Sequence, residues 1–317
     1  MQYLDFERSI KEVDTKLAKL TIGEKALLDK NQAEIKRLTR KKDRLLALAY
    51  KKLTPWQKAQ VARHENRPHA LDYIKTIFSD FELLCGDRSS AEDAAIVGGL
   101  AKLNNKTVMV IGTEKGHDID TRISHNFGMA RPEGYRKAIR LMKLAEQFHI
   151  PVITLVDTAG AFPGIEAEAH GQGQAIAACI ETCLNLKAPI ISCVIGEGGS
   201  GGALALAAGN SVLMLENAIY SVISPEGCAS ILWKDFKYAK KACSILHLTA
   251  EDMIKQGVVD VLIPEPVGGA HRFPEQTMQT VQTELLKQID RFSGMSEQDL
   301  VAQRHQRFLL LLPKKAG

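Results

Sequence analysis

Residues 195–210 read IGEGGSGGALALAAGN, with five glycines in the seven positions from Gly196 to Gly202. Glycine costs roughly 0.5–1 kcal/mol against alanine in regular structure, so a cluster implies a chemical or packing reason. Three patterns overlap here. Gly196-Glu197-Gly198-Gly199-Ser200-Gly201 spells G-x-G-x-x-G, a dinucleotide cradle, with Glu216 placed where a ribose-binding acid would lie. Gly198-Gly199-Ser200-Gly201-Gly202 spells G-x-S-x-G, a nucleophile elbow, with His247, His271, Asp235 and Asp260 as downstream partners on paper. The third pattern is a glycine linker.

Each meets an objection. Only residues 203–210 lie between the glycines and the next apolar run, short for a crossover helix between parallel strands. His247, in SILHLTA, sits in an amphipathic stretch that suits a packed histidine, and His271, in GGAHR, reads as a loop residue. A linker would not abut an apolar strand on one side and a helix on the other. A fourth reading fits better. Glycines entering a helix N-terminus leave peptide N–H groups bare and aimed at one point, aided by the helix dipole. That makes an oxyanion cradle needing no side chain, and it gives the paired Gly201-Gly202 a purpose.

The elements that must position such a cradle alternate along the chain. TVMVIG (107–112), PVITLVDTAGAFPG (151–164) and PIISCVIGEGGSGG (189–202) are apolar strands, the last two running into glycine-rich turns, and a helix is expected near 171–186. Repeated strand–turn–helix units predict a wound α/β body with its turns at one edge. SVLMLE and AIYSVIS read as further strands, and Pro225-Glu226-Gly227 as a helix start. Before residue 54, Ile10, Val13, Leu17 and Leu20, then Ile35, Leu38, Leu45 and Leu46, mark two helices broken at Ile22-Gly23. Met278, Val281, Leu285 and Ile289 share one face of a late helix, and Ser296-Glu297-Gln298-Asp299 resembles a capping box. The expected organisation is a helical hairpin over 1–53, a body over 54–294 and a helical tail over 295–317.

With 45% apolar and 25% charged residues among 317, the composition is that of a globular protein. The opening MQYLDFERSIKEVD lacks the basic and apolar regions of a secretory signal, and no run approaches the ~20 apolar residues of a membrane span, so a cytoplasmic location is expected. Six cysteines without a C-x-x-C pair predict buried free thiols and no metal on this chain. The net charge of +4 is uneven: nine Lys/Arg stand against Glu34 and Asp43 between residues 30 and 52. Without interleaved aromatics this reads as a solvated helix face rather than a nucleic-acid site.

Taken together, GDR (86–88), AIVGGLAKL (95–103), NFGMARPEGYRKAIRLMKLAE (126–146), DTAGAFPG (157–164), GEGGSGGALA (196–205), YSVISPEGCASILWK (220–234) and IPEPVGGAHR (263–272) resemble the carboxyltransferase alpha subunits of multi-subunit bacterial acetyl-CoA carboxylase. The resemblance implies a crotonase-like α/β fold, a superhelix of ββα units with helical extensions at both ends. It also implies an α2β2 assembly with a zinc-bearing beta subunit, working with biotin carboxylase and a biotin carboxyl carrier protein. The implied reaction moves carboxylate from carboxybiotin to acetyl-CoA, giving malonyl-CoA for fatty acid synthesis, while ATP is consumed on a separate subunit. In that family's terms the N–H groups of Gly201 and Gly202 hold the biotin ureido oxygen, beside Gly198, Gly199 and Ser200. Gly160 and Gly164 shape the adjoining loop, and Lys115 and Arg136 are candidates for anion contacts, with salt bridges the competing role. The chain departs from the family pattern at His117 (usually arginine), Asp120 (usually lysine), Ser124-His125 (usually two arginines) and Ala159 (usually proline). That loss of basic charge raises two alternatives: a divergent carboxyltransferase for another acyl-CoA, or a non-catalytic scaffold subunit.

Overall fold

In the computed structural model, residues 2–21 and 29–311 are described; the Ile22-Gly23 break lies outside them. The N-terminal hairpin is formed by α1 (Arg8–Thr21) and α2 (Asp29–Tyr50), which bury Ile10, Val13, Leu38 and Leu46. Glu7 clasps it to the body, accepting hydrogen bonds from Tyr50 Oη (2.9 Å) and Arg272 Nη2 (2.7 Å). Two short helices follow, α3 (Pro55–Ala62), capped by Thr54, and α4 (Ala70–Ile77).

The body is one sheet. An antiparallel meander, β1 (Ser79–Leu83), β2 (Ile96–Leu103) and β3 (Lys106–Thr113), begins it. Then α5 (Ile119–Ser124) and α6 (Pro132–Gln147) lead to β4 (Val152–Thr158), parallel to β3. Next come α7 (Ile165–Ala169) and α8 (Gln172–Asn185), which lead to β5 (Ile190–Gly199), parallel to β4. Beyond it lie α9 (Ser200–Ala207), β6 (Ser211–Leu215) and β7 (Ile219–Ser221). Then follow α10 (Pro225–Trp233), α11 (Ala239–Leu246), α12 (Ala250–Lys255) and β8 (Val261–Ile263). Two helices end the chain: α13 (Pro274–Phe292) and α14 (Glu297–Leu309). The order is β1-β2-β3-β4-β5-β6-β8, and β7 pairs with the far half of β5.

β4 is buried along its whole length, as are all residues of β5 except Gly199, as expected of strands covered on both faces. The late apolar stripe is confirmed: Met278, Val281, Leu285 and Ile289 are buried, and Ser296 Oγ accepts the Asp299 N–H. Arg304 docks α14, donating to the carbonyls of Cys183, Leu186 and Ala188 and to Asn210 Oδ1. No described helix is long and apolar enough to cross a membrane.

Three expectations are corrected. The crossover judged too short exists: β5 and β6 are parallel neighbours, Ile191 opposite Ser211. Most of the glycines counted as a turn belong to β5 itself. The eight residues of α9 rise about 12 Å and the three that follow extend about 10 Å, which returns the chain level with Ile191. His247 is not packed. It ends α11 at φ 49° with an exposed side chain, and Leu248 takes the buried place. Cys85 is exposed, while the other five cysteines are buried.

Candidate active site

β4 and β5 end side by side, Thr158 opposite Gly198. After β4 the chain turns through Ala159-Gly160-Ala161, and after β5 it passes straight into α9. The two strand ends touch backbone to backbone. A Cβ on Gly199 would lie 2.1 Å from the Ala159 carbonyl oxygen, and one on Gly202 would lie 2.6 Å from the Gly160 carbonyl carbon. Only glycine permits this approach. Gly160 itself has φ +152°, and Thr158 pins it: its hydroxyl donates to the Gly160 carbonyl (2.8 Å) and accepts the Gly160 N–H (3.1 Å). Gly164 ends the same loop as the N-cap of α7, with the Phe162 ring where a Cβ would stand.

Gly199 is the N-cap of α9 and brings no side chain to it, so the first-turn N–H groups keep the lack of acceptors inherent in any helix start. Gly201 and Gly202 both lie outside the positive-φ region, with Gly201 half-exposed and Gly202 buried; Ser200 between Gly199 and Gly201 has φ +50° and is exposed. Both histidines that the nucleophile elbow would use are engaged elsewhere. His271 is buried against the His64 ring (4.0 Å between centroids), and His247 points at Asp252. The dinucleotide reading fails on position: Gly196 and Gly198 lie inside β5, facing Asp157 and the Tyr220 ring.

Behind the cradle lies an ionic lattice. Asp157 accepts from the Glu197 N–H (2.8 Å), Lys115 Nζ (2.7 Å) and His69 Nδ1 (3.1 Å). Glu197 pairs with Lys115 (2.9 Å) and Arg63 (2.7 Å), and Arg63 reaches on to Glu226 (2.7 Å) in the first turn of α10. Burial pushes the Asp157 carboxyl up, but Lys115 and His69 outweigh it and hold it well below the usual range. For Glu197 burial is likewise outweighed, by Lys115 and Arg63. Lys115, which burial alone would neutralise, is kept charged by Asp157 and Glu197.

The structure thus gathers Gly160, Gly198, Gly199, Ser200, Gly201 and Gly202 at one edge, with Lys115 directly behind. Arg136, on α6, is engaged by Asp87 (2.9 Å), Glu133 (2.9 Å) and the His170 carbonyl (3.2 Å). A small cavity lined by Gly198, Gly199 and Ile219 adjoins the glycine turn, and two larger clefts flank it. One, of about 350 Å³, is largely apolar and lined by Gly201, Leu204, Tyr220, Val222 and Met253. The other, of about 300 Å³, is lined by Arg63, Lys115, Arg122, Phe127, Ala159 and Glu197. Sequence reasoning singled out neither Glu197 nor Arg63, His69, Arg122 or Phe127 as site residues. A glutamate inside a glycine-rich buried strand was the one available signal.

The substituted loop is tied to its own body. His117 pairs with Asp72 (2.9 Å) and lies against the His69 ring, and His125 Nδ1 meets the Ala94 carbonyl (2.5 Å). Ser124 donates to the Thr121 carbonyl, and Asp120 is exposed in the first turn of α5. Among the described residues no three His, Cys, Asp or Glu side chains converge as metal ligands.

The model of the acetyl co-enzyme A carboxylase carboxyltransferase-like family matches residues 3–311. An acetyl-coenzyme A carboxylase carboxyl transferase subunit alpha from Paramagnetospirillum magneticum is 55% identical over 313 residues, covering 98% of each chain. The subunit of the same name from Zymomonas mobilis is 53% identical, again with 98% of each chain covered. Among solved structures, transcarboxylase 12S shares the fold at a TM-score of 0.59 and 17% identity, over 72% of this chain and 42% of that one. A Pseudomonas malonate decarboxylase hetero-tetramer in complex with coenzyme A does so at 0.56 and 15%, over 70% of this chain and 92% of that one.

Proposed function

The chain belongs to the family of acetyl-CoA carboxylase carboxyltransferase alpha subunits, and from that premise we propose that its glycine cradle stabilises an oxyanion during carboxyl transfer from carboxybiotin to acetyl-CoA. Carboxybiotin, brought by a carrier protein, would supply the carboxyl group and, once relieved of it, the base for the acetyl methyl, so this chain's own part is to bind and orient it. The N–H groups of Gly201 and Gly202 hold the ureido oxygen as its charge develops. Preorganised donors of this kind are each worth ~10²–10³ in rate. Their placement is supported by the backbone contact of Gly199 and Gly202 with the Ala159-Gly160-Ala161 turn, which holds the start of α9 against the end of β4, while Gly199 brings no side chain to the first-turn N–H groups. The ionic lattice fixes the end of β5, so the N–H groups start in place.

The start of α9 offers one set of N–H donors, and the reaction develops a second oxyanion, on the thioester. We assign it to a zinc-bearing beta subunit in an α2β2 assembly, with biotin carboxylase consuming ATP elsewhere and the whole acting in the cytoplasm. The backbone contact of Gly199 and Gly202 with the turn after β4 carries this reading. Its test is malonyl-CoA formation by this chain with its beta partner, which should be robust together and nearly absent for either alone. Full turnover by this chain without the partner would overturn it.

A further inference from the structure

We propose that the polar cleft beside the cradle seats the carboxylate being transferred, with Arg122 as its cation and Phe127 as its cover; this rests on the carboxyltransferase reading above. The cleft adjoins the cradle through Ala159, which lines it and whose carbonyl touches Gly199. An N-carboxylate stands next to the ureido oxygen, so seating that oxygen on α9 puts the carboxylate beside this turn. Of the three cations in the cleft, two are already matched. Lys115 is shared by Asp157 and Glu197, and Arg63 by Glu197 and Glu226. Glu197 has both oxygens occupied by those two cations. Arg122 differs: it is half-buried, its Nε donates at 3.3 Å to the Gly116 carbonyl, and no carboxylate lies within ion-pair distance among the described residues. A guanidinium in such a place suits a carboxylate, which it can grip with two parallel bonds.

The cover is held at a conformational cost. Asn126, Phe127 and Gly128 follow one another at φ 47°, 55° and 77°. A bulky aromatic in that region is an outlier, and such outliers gather at functional sites. Gly128 is pressed on the lattice, since a Cβ there would lie 2.8 Å from Lys115 Cγ and 3.0 Å from the Asp157 carbonyl. The turn is therefore anchored below while Phe127 projects over the cleft, 52% exposed. Its apolar face limits water around the carboxyl group and keeps released CO2 beside its acceptor.

The test uses the complex with the beta partner and the two CoA esters, malonyl-CoA with the carboxylate and acetyl-CoA without it. Arg122→Gln should raise KM for malonyl-CoA in the reverse direction about ten- to hundredfold, the range of a hydrogen bond to a charged group, and leave KM for acetyl-CoA within about twofold. Arg122→Lys should recover part of the loss. Phe127→Ala should lower kcat more than it raises KM and increase uncoupled release of CO2. An equal rise in KM for both esters would mean that Arg122 meets a CoA phosphate, and weakened subunit association would mean an interface residue; either overturns the proposal, as does an unchanged KM for malonyl-CoA. A wild-type complex with no carboxyl transfer would sink the reading of the site itself.

Discussion

Gly202→Ala probes the contact on which the cradle depends. The added methyl would stand 2.6 Å from the Gly160 carbonyl carbon and 2.7 Å from the Ala161 nitrogen, where ordinary contact begins at 3.4 Å. Both obstacles are backbone, so no side chain can swing aside, and the turns must part by about 0.8 Å. Stability should fall by up to ~3 kcal/mol: overpacking costs ~1–3 kcal/mol, and alanine in a helix returns up to ~1. In a complex that still folds the rate should fall as well, because misplacing reacting groups by ~1 Å costs about 10²-fold. The assay is turnover of the complex with its beta partner, after circular dichroism and size exclusion confirm folding and assembly. Ser200→Ala is the control, since its hydroxyl is exposed and the backbone stays left-handed. It should remain within a few-fold, whereas a serine nucleophile would lose ~10⁶. An assembled Gly202→Ala complex at wild-type turnover, or a dead but folded Ser200→Ala, would refute the reasoning.

Asp157→Asn leaves Lys115 short of a carboxylate in a buried site and should lower unfolding free energy by about 3–5 kcal/mol in urea titration. Because the folded Asp157 pKa is depressed, that stabilisation is complete above the unfolded value of ~3.9 and is lost as pH falls through the folded one, so the variant's deficit should shrink in acid. His271 is held neutral by burial, His64 and Arg272, its pKa lowered from 6.5 to about 3. The unfolded chain therefore binds the extra proton between those values, and stability should fall by on the order of 2 kcal/mol from pH 6.5 to about 5, a slope that His271→Phe flattens in denaturation across pH. Arg304→Met strands the carbonyls of Cys183, Leu186 and Ala188 and should cost more than ~3 kcal/mol; a change under ~1 would contradict the docking role given to that guanidinium.

The glycine-rich junction of strand and helix could be read from the sequence because five glycines between an apolar strand and an alanine-rich helix have few physical explanations. The late helix could be read because Met278, Val281, Leu285 and Ile289 keep one period. The ionic lattice could not, since Arg63, His69, Lys115, Asp157, Glu197 and Glu226 meet only after the sheet forms; Glu197 inside a buried strand hints at a partner without naming it, and Lys115 reads as an anion contact without showing that the anions are Asp157 and Glu197. Strand β2 hid behind its own glycines: Gly99 has none of the apolar weight of a strand, yet a Cβ there would meet the Glu82 carbonyl at 2.0 Å. His271 was read as a loop residue, which it is, but Tyr50 and His64 from distant segments bury it. At His247 the amphipathic pattern was one residue out, because the helix ends there in a left-handed turn.

The backbone contact at the strand ends also limits how such a protein can drift. Every one-base change in a glycine codon that still encodes another residue adds a Cβ, and at Gly196, Gly198, Gly199 and Gly202 that atom lands 2.1–2.7 Å from its neighbours. None of these four positions has a clash-free amino-acid replacement one mutational step away, so a replacement here must displace a neighbour. Variation that a lineage can keep must enter elsewhere. Helix α5, which carries Arg122, offers the room, with Asp120, Ile123 and Ser124 exposed on it, so descendants that come to favour a different acyl group should differ there first.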